Sequence, residues 1–297
     1  MAMKLNKLEK TKRFARLGVT LDKSVYLREF DNYNQFAAAV EYGEPHDDDP
    51  VRVSRDTDRA TFHTEPDFPT MMRKLRRGWP EALRRVDEMV MRTAEGIAFS
   101  ETMGMEIVPN YIGQRLDWDR YNSGHPLMMI DQQERFVPDR VVKILFQVAA
   151  FCDVSIEQLW LRGAMVMGLV QALERVGIST QVDAIQSIDD HGDVEYHLFV
   201  PLKSAGHRMS PDRLAFAICN GDMLRRAVFA VEECESEALV KRFGFKQGGG
   251  YGRPTEAPRE VCDHYDIYTS HAHRLRNADE VRREIRKHLE AQGVVLA

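Results

Sequence analysis

The clearest hydrophobic pattern lies in the second half of the chain. "VVKILFQVAAF", residues 141–151, is an apolar run bounded by Pro138 and Asp153 and rich in β-branched and aromatic residues, so it predicts a buried strand. "IEQLWLRGAMVMGLVQALERVG" then takes helical spacing, is apolar all round from Ala164 to Val170, and ends at Gly177. "ISTQVDAIQSI" predicts a second strand and "VEYHLFVPL" a third, joined as a hairpin through the turn residues "DDHGD". Ser210 and Pro211 open a helix that runs through Cys219. "RRAVFAVEE" predicts a fourth strand, "SEALVKRFG" a short helix and "YDIYTS" a fifth strand. Asn277, with Glu280 three residues on, starts the last helix, whose stripe is Val281, Ile285, His288 and Leu289 and which Gly293 ends.

The first half is less regular. Residues 31–42 predict a short helix with Phe36, Ala39 and Val40 on one side, and "GEPHDDDP" breaks it. Residues 62–92 predict two short helices, with Pro69 and Pro80 at first-turn positions and Gly78 between them. Residues 94–140 lack periodicity apart from a short strand at 105–109. The expected division is a basic, mainly helical N-terminal region over 1–95 and an α/β core over 96–297. The alternation of strands and helices predicts an α/β fold: a mostly parallel sheet with helices on both faces and one antiparallel edge strand. The expected strand order is third, second, first, fourth, fifth, with only the third antiparallel.

That topology is similar to the von Willebrand factor A fold. In that fold the first strand ends in Asp-x-Ser-x-Ser, which binds magnesium with a distant Thr and Asp. The matching stretch here is Asp153-Val154-Ser155-Ile156-Glu157, with glutamate in place of the last serine. The same residues also read as a helix start: Ser155 and Gln158 form the S-x-x-Q of a capping box, and Glu157 suits the helix dipole. The cap reading is preferred, and the core is expected to be a degenerate relative of that fold. A second resemblance spans roughly residues 60–235. "RGWPEALRRVDEM", "YNSGHPLMM", "RGAMVMGLVQALERVG" and "LAFAICNGDMLRRAVFAVEE", in that order, resemble a family of uncharacterised phage and bacterial proteins. The family's pattern usually has glycine where this chain has Ala82. The resemblance implies an intracellular, phage-type origin and no catalytic residue.

Charge sharpens the picture at one end. The net charge is −5, yet residues 1–28 carry eight Lys or Arg against Glu9 and Asp22. This stretch reads as an external basic arm; Lys10, Lys12, Arg13 and Arg16, with Arg76 and Arg77 of the helical region, are its candidate nucleic-acid contacts. Cys152, Cys219, Cys234 and Cys262 have no zinc-ribbon spacing and suggest reduced thiols in a cytoplasm, that of the host cell if the protein is phage-encoded. No stretch of 18 apolar residues predicts a membrane span. "CDHYDIYTSHAHRL" is the most ligand-rich segment, and His264, His271 and His273 form a candidate zinc set. The glycine-rich "FKQGGGYGRP" lacks the Gly-Lys-Ser/Thr of a phosphate loop and reads as a surface loop, with Lys246, Tyr251 and Arg253 as candidate contacts to single strands. No reaction-shaped constellation emerges, so an enzyme is not expected. The expected function is a non-catalytic interaction protein that binds another protein and needs no cofactor. The alternatives are a nucleic-acid-binding accessory protein and a metal-dependent hydrolase built on the three histidines, with magnesium or zinc as the ion.

Overall fold

The computed structural model describes residues 3–46, 52–55, 63–94, 103–110, 115–116, 121, 129–136, 140–205, 210–245 and 251–294. The aspartate run at 47–49 and Lys246 fall outside these residues. The fold is mixed α/β. Its main sheet has the order β1 (Lys10–Phe14), β2 (Val19–Glu29), β8 (Glu195–Lys203), β7 (Ser179–Asp189), β6 (Val141–Gln147), β10 (Ile267–Thr269). Parallel pairings join β2 to β8, β7 to β6 and β6 to β10; β1 is an antiparallel edge and β7 pairs β8 as the expected hairpin. β9 (Arg253–Pro254) pairs the last residues of β7, beyond the end of β6. Gln147 stitches that junction: its buried amide donates to the Thr255 carbonyl at 2.9 Å and accepts from the Ser187 N–H at 3.1 Å.

Helix positions follow the capping signals. α1 (Tyr33–Tyr42) starts at Asn32, α2 (Phe68–Arg77) at Asp67, and Gly78, at φ 98°, separates α2 from α3 (Pro80–Ala94). α4 (Ile156–Arg175) starts at Ser155, and α5 (Pro211–Cys219) starts with its proline in the first turn and no side-chain cap from Ser210. After the short α6 (Phe229–Glu232) come α7 (Glu237–Phe243), closed by left-handed Gly244, α8 (Arg259–Cys262) and α9 (Ala278–Ala291). Gly163 lets α4 and α5 touch: a Cβ there would stand 2.0 Å from the Ile218 carbonyl oxygen. One hydrophobic core fills the helix-covered face and runs across the 95/96 boundary, since Phe36, Met71 and Leu75 share it with Ile144, Met165 and Phe216. The other face is covered by α8 and the hairpin tip, through Phe14, Leu21, Val25, Leu145, Ile185, Phe199 and Val261. A separate small sheet has the order β3 (Met103–Asn110), β5 (Met129–Phe136), β4 (Arg115–Leu116).

Three expectations are corrected. Residues 10–29 are a hairpin of the main sheet, and no external arm. β1 and β2 lose register between Thr11 and Arg13, and the tip folds back over the sheet, where Phe14 meets Phe199 edge-on at 5.1 Å. Glu29 holds the tip by accepting from the Ala15 and Arg16 N–H groups at 3.3 and 2.9 Å, and Gly18 turns it with φ 67°. Second, β8 is no edge: β2 covers it through the pairs Tyr26 to Glu29 with Tyr196 to Phe199. Third, "RRAVFAVEE" is helical. Met223–Val228 is a π-helical turn that continues into α6, so no strand stands between β6 and β10. A short apolar run does not distinguish a strand from a helix buried on all sides, and here the entire run is buried.

The hairpin is pinned from the helix layer. The Arg28 guanidinium donates to both Glu235 oxygens at 2.8 and 2.6 Å and to the Asn6 carbonyl at 2.8 Å, while the Tyr196 hydroxyl donates to Glu235 at 3.0 Å. Glu235 is 1% exposed. Arg28→Ala leaves that carboxylate buried and without its cation, so it should cost about 3–5 kcal/mol in urea denaturation. A loss below about 1 kcal/mol, the scale of an exposed pair, would show that this contact does not hold the hairpin.

Candidate functional site

Two places on the sheet bring polar side chains together. The first is the crevice outside the C-terminal ends of β6 and β10. The chain leaves β6 through α4 to β7 on one side and places β10 on the other, which makes this a topological switch point, where open α/β sheets bind their ligands. Asp153, Ser155 and Glu157 all lie here, and each has a partner within the protein. Asp153 takes two 3.0 Å hydrogen bonds from Arg274. Ser155 forms a complete capping box: its hydroxyl accepts from the Gln158 N–H at 3.2 Å and its own N–H donates to the Gln158 amide oxygen at 3.1 Å. Glu157 pairs with Arg85 at 3.0 Å, and Arg85 also lies 3.7 Å over the Trp160 ring.

Beneath the crevice sits a cation that belongs to the protein. Arg162, in the second turn of α4 and 3% exposed, donates to the carbonyls of Val148, Ala149 and His271 at 3.1, 3.2 and 3.4 Å. Burial lowers its pKa to about 10, which still leaves it charged at neutral pH. Arg225, from the π-helical turn, donates to the Val154 carbonyl at 2.7 Å. Two buried guanidinium groups therefore fix the loop after β6, and their charge opposes a divalent ion above them.

The three histidines are not assembled into one site. β10 runs between His264 and His271, so they stand at opposite ends of a strand. His264 lies 3.5 Å from the Lys143 ammonium. His271 is edge-on to Phe151, with Nδ1 3.4 Å from Glu256, and burial lowers its pKa. Burial likewise lowers that of His273. Among the described residues no group of three His, Cys, Asp or Glu converges on a metal-sized space. The basic candidates occupy two separate elements. Lys10 lies over Tyr26, Lys12 donates to the Asp22 carbonyl, and Arg13 is exposed, all on β1; Arg16 is in the hairpin turn, paired with Asp31 at 3.5 Å. Arg76 and Arg77 end α2, where Arg76 pairs with Glu41 beside Tyr42. Tyr251 is buried and stacked on Phe229, and Arg253 is held by Asp189.

The second place was not legible in the sequence. A cleft of about 470 Å³ opens on the hairpin-covered face, lined by Arg16 and Leu17 of the tip, Gln181 and Asp183 of β7, Phe199 and Pro201 of β8, and Ser204. Asp183 is 3% exposed. One of its oxygens, Oδ2, accepts from the Gln181 amide at 2.7 Å and from the Tyr265 hydroxyl at 2.8 Å. Burial pushes its carboxyl above the usual range, against the pull of those two hydrogen bonds and of the Arg16 and His264 charges.

Fold and sites define an α/β sheet protein with a braced switch-point crevice and a polar cleft on the opposite face. The chain belongs to the family described as Domain of unknown function (DUF7192), which matches residues 7–295 and so includes both the hairpin and the cleft. No curated protein and no solved structure matches the chain. Among the described residues no helix is long and apolar enough to cross a membrane.

The capping box at Ser155 has a measurable weight. Ser155→Ala should lower stability by about 1 kcal/mol. Magnesium should leave the melting temperature of parent and variant unchanged. Magnesium-dependent stabilisation of the parent that the variant loses would show that these residues ligate the ion.

Proposed function

We propose that this protein is a non-catalytic interaction protein of phage type, active in a cytoplasm, whose von Willebrand A-like core presents the switch-point crevice to another protein. The strand sequence β8, β7, β6 with β8 antiparallel supports the likeness, although β2 and β1 extend this sheet and β10 directly follows β6. The observation that carries the reading is the pair of exposed ion pairs, Asp153 with Arg274 and Glu157 with Arg85, that flank the start of α4. Exposed ion pairs contribute little to stability, so this charged rim is free to serve recognition, where charge complementarity sets specificity and encounter rate. The rigid loop beneath presents these charges at fixed positions.

Reversing the rim acids, Asp153→Lys with Glu157→Lys, should leave the fold intact and abolish capture of the partner that the parent retains in matched affinity purifications. A partner held equally by both would place the interface elsewhere. The nucleic-acid reading rests on β1 and the end of α2, and a salt titration against single- and double-stranded DNA separates it. We expect no binding at physiological salt, because the chain as a whole is acidic. Tight binding that falls steeply with salt would replace the protein-partner reading.

A further inference from the structure

The cleft around Asp183 carries a ligand assignment that is independent of the crevice. A carboxylate removed from water is costly unless a cation meets it in hydrogen-bonding contact. Among the described residues none does: Asp183 receives only the neutral donors Gln181 and Tyr265, both on Oδ2, while Arg16 and His264 act on it without a hydrogen bond. Its second oxygen has no hydrogen-bond partner among those residues, and Asp183 lines the cleft. Gln181 lies two residues earlier on the same face of β7, and its amide nitrogen is already spent on Asp183, which leaves its oxygen as a second acceptor. Across the cleft, the Arg16 side chain is about one-third exposed, and among the described residues its guanidinium meets only Asp31, at 3.5 Å. Phe199, Pro201 and Leu17 supply an apolar wall. The volume falls within the range of small-molecule sites, about 300–1,000 Å³.

We propose that this cleft binds a small basic amino acid, which at neutral pH carries two cationic groups and one carboxylate. Its side-chain guanidinium or ammonium group donates to Asp183 and Gln181, its aliphatic stem lies on Phe199 and Pro201, its carboxylate meets Arg16, and its α-ammonium turns to solvent. The incoming cation supplies the counter-charge that the buried carboxylate lacks. Binding therefore needs the ionised form of Asp183 and strengthens as pH rises through that group's raised range. The charged or titratable groups facing Asp183 are Arg16 from the hairpin tip, and His264 and Tyr265 from the segment after α8.

The test uses the full chain and two probes, L-arginine and agmatine, which lacks the carboxylate, in calorimetric titrations at millimolar concentration. L-arginine should bind the parent, and Asp183→Asn should weaken it about tenfold or more, the scale of one charge-assisted hydrogen bond. That variant keeps one oxygen to accept from Gln181 and Tyr265 and removes a buried charge, so its melting temperature at neutral pH should equal or exceed the parent's. Agmatine should bind the parent more weakly than L-arginine, and Arg16→Gln should erase the difference between them. Absence of binding by either probe, or equal affinity in Asp183→Asn, would overturn the assignment. Equal binding of both probes to the parent would overturn the role of Arg16.

Discussion

The buried contact between Arg28 and Glu235 organises this molecule. Arg28 comes from the second strand of the chain, and Glu235 follows the short helix α6 more than 200 residues later. Their bidentate pair, completed by Tyr196, locks β2 beside β8 and turns what would be a sheet edge into sheet interior. The consequences run outward from there. With β2 in place, Glu29 can hold the folded-back tip, the tip can cover Phe199, and Arg16 and Leu17 can form a wall of the cleft. A structural ion pair in the helix layer thereby shapes a site on the opposite face of the sheet.

A different solution operates at the switch point. Here the capping box and the buried Arg162 and Arg225 hold the loop, and the exposed pairs Asp153–Arg274 and Glu157–Arg85 only decorate its rim. The arginines bind backbone carbonyls, an arrangement suited to stiffness.

The helices at 156 and 278 were readable from local chemistry, since Ser155 and Asn277 accept from the N–H three residues on, and those at 33, 68 and 80 from apolar spacing, Pro69, Pro80 and Gly78. The β7–β8 hairpin and β6 were readable from apolar runs and turn residues. The N-terminal hairpin was missed although Val19, Leu21, Val25 and Leu27 alternate as a strand should. Its Lys and Arg residues drew attention to charge, and charge on an edge strand is an ordinary guard against unwanted pairing. The segment 225–233 was misread because a continuous apolar run carries no period. The capping role of Ser155 was visible locally. The cleft was not, since Arg16 and Asp183 meet only through the pairing of β2 with β8, and no local pattern records a contact across that distance.

Native-state hydrogen exchange reads the β2–β8 junction without altering it. The amides of Tyr26 to Glu29 engaged in the β2–β8 ladder should exchange as slowly as those of Tyr196 to Phe199, through the same global opening. Fast exchange of residues 19–29 beside a protected β8 would contradict it, and would return the basic N-terminus to the status of an external arm.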